Sequence, residues 1–85
     1  MYKQFINNYL KKLNKNDILV FAHKNNIILN NKELDYVYEV IKNQSDVLLS
    51  DNYNEIFNQA KNMLSKINYE KIYDLFITYK NKYFN

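Results

Sequence analysis

The sequence predicts an all-α fold, a small bundle of four to five short helices in a single domain over residues 1–85, and three observations carry that expectation. Neither Gly nor Pro occurs in the 85 residues, which removes the residues that tight hairpin turns need. Apolar residues recur at intervals of three and four rather than two, the period of a helix. One outline, aliphatic–Asn–three residues–aliphatic, recurs in "LNKNDIL", "LNNKELD" and "INYEKIY" and reads as a helix start each time. A chain this short holds one core and buries about 60–65% of its unfolded surface, so every amphipathic face is needed.

The first helix is expected over 2–12, where Tyr2, Phe5, Ile6, Tyr9, Leu10 and Leu13 follow the i, i+3, i+4, i+7 rule. A second, 15–25, is marked by Ile18, Leu19, Phe21 and Ala22, and a third, 31–43, by Leu34, Val37, Tyr38 and Ile41. Tyr53, Ile56, Ala60, Met63 and Ile67 place a fourth over 51–66, widened by Phe57 and Leu64. Tyr69, Ile72, Tyr73, Phe76, Tyr79 and Tyr83 carry the last, 69–83. The stretch "NQSDVLLSDN" reads as the one longer loop, with Val47, Leu48 and Leu49 plugging the core and Ser50 or Asp51 capping the fourth helix. Almost no linker separates Ile67 from Asn68, so the last two helices are expected to form a hairpin or a sharp corner.

The repeated outline is capping grammar. With Asn14, Asn30 and Asn68 as N-caps, each side-chain oxygen accepts from a first-turn amide that has no helical partner. Glu33 stands where it can close a capping box onto Asn30, and the shorter Asp17 favours the dipole of its helix. Leu13 with Ile18, Leu29 with Leu34, and Ile67 with Ile72 occupy the two ends of a hydrophobic staple. Each cap is worth about 1 kcal/mol.

Charge and composition narrow the function classes. There is no Cys, which excludes disulfides and thiolate metal sites. The longest apolar run is five residues, "ILVFA", far from the ~20 a membrane helix needs, and "MYKQFINNYL" lacks the apolar stretch of a signal peptide; a cytoplasmic location with no membrane contact is expected. The net charge of +3 comes from twelve Lys and nine acids without a single Arg. Lys does not reproduce the planar fork with which Arg grips phosphate and guanine. Sixteen Asn beside abundant Lys, Ile and Tyr point to an AT-rich genome, which accounts for part of the Lys surplus.

No constellation of reactive residues emerges, and neither an enzyme nor a cofactor is expected. His23 is the only imidazole; it sits near a helix C-terminus, where the dipole favours a cation, without the partners that nucleophilic catalysis needs. The i, i+4 pairs Asp35/Glu39, Asp51/Glu55 and Glu70/Asp74 share helix faces, but Lys32, Lys42, Lys66 and Lys71 stand three or four residues away to pair with them. "HKNNIILNNKEL" lies between helices as a calcium loop does, without the acidic ladder, central Gly and closing Glu of that motif. Lysines 3, 11, 12 and 15, and 61, 66, 71, 80 and 82, interleaved with Tyr69, Tyr73, Tyr79 and Tyr83, support nucleic-acid contact as an alternative, mostly to the backbone. Tyr-rich terminal helices exceed what a four-helix core uses, and exposed Tyr is a frequent interface anchor. The expected partner is therefore another protein or a second copy of the chain. Tyr2, Tyr9, Lys11, Lys12, Tyr79, Lys80 and Tyr83 are the candidate contact residues.

The stretch "LNKNDILVFAHKNNIILNNKELDYVYEVIK", followed by "INYEKIYDLFITYKNKY", resembles the YqfT-like family of small proteins of low-GC Gram-positive bacteria over roughly residues 13–83. The likeness lies in the capped "LNKNDIL" start, the "NIILNNKE" junction and the final capped helix. The chain lacks the Pro and Arg often found around the loop and last helix of that family. That family has no assigned activity, so the resemblance implies a compact helical cytoplasmic bacterial protein and nothing catalytic. The function expected is thus non-enzymatic, of adaptor or inhibitor type, with a Lys-rich nucleic-acid- or ribosome-associated accessory as the alternative.

Overall fold

Six helices form in the computed structural model, which describes residues 2–83 and, of Tyr2, the backbone alone. They are α1 (Tyr2–Lys12), α2 (Lys15–Lys24), α3 (Asn31–Asn43), α4 (Ser45–Leu48), α5 (Tyr53–Met63) and α6 (Lys66–Tyr83), with no strand among the described residues. The expected all-α bundle is the fold. The stretch foreseen as a loop contains the single turn α4, whose Leu49 end is buried while Val47 and Leu48 are half-buried. Neither Ser50 nor Asp51 caps the following helix. Ser50 instead donates its hydroxyl to the Val47 carbonyl at 2.6 Å and accepts from the Asn52 amide at 3.0 Å, which closes the turn and delays the helix to Tyr53.

The first two starts obey the capping grammar in full. Asn14 Oδ1 accepts from the Asp17 amide at 2.8 Å, and Asp17 Oδ2 accepts from the Asn14 amide at 3.0 Å. Asn30 and Glu33 exchange the same pair of bonds, at 2.8 and 3.1 Å. Asp17 therefore closes a box despite its shorter side chain. Both staples form, because Leu13, Ile18, Leu29 and Leu34 belong to one apolar cluster.

The third start is three residues earlier than its Asn. Ser65 holds the cap position: its carbonyl accepts from the Tyr69 amide at 2.8 Å and its hydroxyl from the Asn68 amide at 3.1 Å. Asn68 lies inside the first turn and is buried, with 8% of its surface exposed. The staple shifts with the cap: Leu64 and Tyr69 pack in one cluster, while Ile67 is exposed. A polar side chain taken inward thus displaces an aliphatic one outward.

Helix α2 ends on a left-handed residue, Asn26 at φ 62°. The Ile27 amide reaches back to the Ala22 carbonyl at 2.8 Å and the Asn26 amide to His23 at 3.1 Å, the bonding of a Schellman motif. Asn tolerates this conformation better than other side chains where Gly is missing. The turn drives Ile27 into the core beside Ala22.

Two apolar clusters share the interior. One is built on Ile18, Ala22, Ile27 and Leu29, the other on Phe57, Ala60 and Leu64. Val37 of α3 and Ile72 of α6 pack against both. Helices α5 and α6 run antiparallel, as their rings record: Phe57 lies 5.1 Å from Tyr73, and Tyr53 5.1 Å from Phe76. Helix α1 lies against α3 and α4, held where Lys42 Nζ donates to the Lys11 carbonyl and the buried Ser45 hydroxyl donates to Asn7 Oδ1. The radius of gyration is 12.0 Å, the value of about 12 Å expected for one domain of this length.

Candidate functional site

Helix α6 is longer than its neighbour, and its aromatic stripe continues past the core. Tyr69, Ile72, Tyr73 and Phe76 pack on α5. Because α5 begins at Tyr53, opposite Phe76, the stripe beyond that level has lost this cover. Tyr79 and Tyr83 stack on each other there, with centroids 5.9 Å apart and planes 14° from parallel. The Phe21 ring of α2 stands 6.2 Å from Tyr79. All three are exposed, Phe21 by 46%.

Phe21 is exposed for a geometric reason. Five consecutive apolar residues on a helix cannot share one face. Ile18 and Ala22, one turn apart, enter the core, and Val20 and Phe21 are left outside. Lys80 places its ammonium 5.5 Å over the Tyr53 ring, and Lys82 lies 5.5 Å over Tyr83. The result is an aromatic surface edged by lysine, with no acid on α6 after Asp74.

Helix α1 shows a second exposed aromatic pair. Ile6 and Leu10 turn toward the bundle and are half-buried. Phe5 and Tyr9, one turn apart, face outward with 75% and 65% of their surface exposed. Lys11 and Lys12 are exposed at the end of this helix. Of the expected contact residues, then, Tyr79, Lys80 and Tyr83 share the last turns of α6, and Tyr9, Lys11 and Lys12 the end of α1. No ring contact joins the two groups among the described residues. The Tyr2 side chain lies outside the description. Phe5 and Phe21 were expected to help mark inward stripes, and the structure puts them on the surface. The five-residue run "ILVFA" was the signal for Phe21, being too wide for one buried face.

The polar groups that are buried hold the scaffold together. Glu33, 4% exposed, receives the Asn30 amide and Asn68 Nδ2 at Oε1 (3.1 and 3.0 Å) and the Ser65 amide at Oε2 (2.8 Å). Asn68 Nδ2 also donates to the Ile28 carbonyl at 2.9 Å. Burial pushes the Glu33 carboxyl up, but the donors from Ser65, Asn30 and Asn68 outweigh it and hold the group below the ordinary glutamate value. Burial raises the Tyr36 hydroxyl, which donates to the Ile56 carbonyl at 3.2 Å.

His23 lines a shallow open depression with Leu19, Val20 and Lys24, none of which carries a hydroxyl, a thiol or a carboxylate. No group of three or more His, Cys, Asp or Glu suited to a metal exists among the described residues. The lysines expected to pair within their own helices do not do so. The ion pair present among the described residues joins two helices, Lys15 of α2 to Asp35 of α3 at 2.7 Å, and Asp35 raises the Lys15 pKa. Lys42 and Lys71 are used on the carbonyls of Lys11 and Asn26. Tyr69 and Tyr73, two of the four tyrosines available for base stacking, pack on Phe57 instead. No described helix is long and apolar enough to cross a membrane. No family model, curated protein or solved structure matches the chain.

Proposed function

We propose that this protein is non-enzymatic and acts through protein–protein contacts, as an adaptor or inhibitor, with the surface of Phe21, Tyr79 and Tyr83 as its contact site. One observation carries the reading: three aromatic rings from two helices meet on the outside of the domain, beyond those its core uses. Contiguous exposed apolar groups edged by charge mark interaction sites, and buried Tyr is among the commonest energetic anchors of an interface. A cytoplasmic location belongs to the same proposal and rests on composition.

The test places a photo-crosslinking amino acid at Phe21 in the native host. A discrete protein adduct that disappears in the Tyr79→Ala background supports the reading. Adducts with RNA or DNA, accompanied by retention on nucleic acid that falls steeply with salt, would replace it with the Lys-rich accessory role. Recovery of the bare monomer alone would count against both.

A further inference from the structure

Charge is segregated along this chain. Residues 1–16 hold four Lys and no acid, residues 75–85 hold two Lys and no acid, and all nine acids lie between, with six Lys. Helix α1 is therefore an acid-free element whose outer face bears Phe5 and Tyr9, while its inner face is already committed to α3 and α4. At 100° per residue Lys12 falls on the face of the two rings, Lys11 stands beside it at the end of the helix, and Lys3 lies on the side of the α4 groove. All three are exposed and form no ion pair among the described residues. The one acid that lines the shallow groove beside α1 is Asp46 of α4, alongside Lys3, Gln4 and Asn7.

We infer that the outer face of α1 docks as a helix into an apolar cleft rimmed by carboxylates on a partner protein, with Phe5 and Tyr9 as anchors and Lys11 and Lys12 on the rim. The inference rests on the protein-contact reading above and adds a second surface and the chemistry of its partner. Charge complementarity selects the occupant, because a helix carrying only cations and neutral groups is matched by an anionic rim. Shape selects protein over nucleic acid. Anchors at i and i+4 on a convex helix suit insertion into a groove. Binding of a single strand uses a basic groove that follows the backbone together with flat stacking platforms, and α1 offers a ridge, with the neighbouring groove carrying Asp46.

The experiment uses the full chain with p-benzoylphenylalanine in place of Phe5, and separately in place of Phe21, irradiated in the native host. The captured molecule is identified, purified and titrated against the unmodified protein. The inference expects the Phe5 probe to label a protein within an apolar cleft lined by Asp or Glu. Phe5→Ala with Tyr9→Ala should weaken binding about tenfold or more. Lys11→Ala with Lys12→Ala should weaken it about three- to tenfold and flatten its salt dependence. Both pairs lie outside the core, so the melting transition should stay in place, and this guards against loss of binding through unfolding. A Phe5 adduct with nucleic acid, with a second copy of the chain, or with a cleft free of carboxylates overturns the inference, as does no adduct. If Phe21 captures a protein and Phe5 does not, the contact reading stands and the α1 inference falls; silence at both positions removes both.

Discussion

Glu33 accepts a hydrogen bond from the backbone amide of Ser65, thirty-two residues away, at 2.8 Å. Its other oxygen closes the capping box of its own helix through Asn30. A capping box normally draws both halves from one helix. Here α6 has the Ser at its cap, its N3 side chain, Asn68, turns away to Ile28 and Glu33, and the carboxylate of α3 supplies the missing acceptor. Two helix N-termini, each carrying a partial positive charge, thereby share one anion.

Removing that anion should be costly and reversible. Glu33→Ala takes the acceptor from the partly buried bonds of the Asn30 and Ser65 amides, while Asn68 keeps the Ile28 carbonyl, and each unsatisfied group costs about 1–3 kcal/mol. We expect a loss of about 2–3 kcal/mol after water reaches the two amides, still a sizeable part of the ~5–15 kcal/mol that holds a domain folded. The site that remains is a pair of helix N-termini facing a hole, which suits a small carboxylate. Formate or acetate should raise the melting temperature of Glu33→Ala more than chloride at equal ionic strength, and should do nothing comparable for the parent protein.

Acid should weaken the fold through the same group. The folded pKa of Glu33 lies below its ordinary value, so on lowering the pH the unfolded chain takes up its proton first. The stability Glu33 provides is complete above the ordinary glutamate range and is lost as pH falls through the lowered folded value. Urea midpoints measured downward from neutral pH should fall across that window. In Glu33→Gln, a less stable protein, the part of the slope due to this residue should be gone.

Asn68 separates a buried tie from a cap. At an N-cap, Asp and Asn are near equals. At position 68 the amide nitrogen donates to Glu33 at 3.0 Å, and Asn68→Asp would set one carboxylate against another in the interior. It should destabilise by about 2 kcal/mol or more, whereas Asn14→Asp should change stability by only a few tenths. Thermal melts of the two variants side by side decide the point.

That contrast also shows what the sequence made legible. Asn14 and Asn30 were readable because cap, box partner and staple agree in one frame. Near residue 67 two frames overlap: Ile67–Asn68–Ile72 imitates the pattern, while Leu64–Ser65–Tyr69 is the one the chain uses. The choice between them is made by Glu33 and Ile28, which no local window contains. Tyr79 and Tyr83 were readable as surplus aromatics at the end of a long stripe. Phe5 was not, since spacing of three and four cannot distinguish which of two adjacent apolar faces turns inward when both exist.

Asn26 offers a gain rather than a loss. It holds φ 62° in a chain without Gly, and a residue with a Cβ is under steric cost there. Asn26→Gly should raise stability by about 0.5 kcal/mol, and Asn26→Ala should lower it by about 1 kcal/mol. Chemical denaturation of the pair gives opposite shifts in midpoint if the left-handed turn is as described.

Val37 and Ile72 touch both halves of the interior, so neither half can come apart without exposing a side chain the other depends on. Amide exchange from the inner turns of α2 and of α5 should accordingly share one opening free energy, the hallmark of a molecule whose parts melt together.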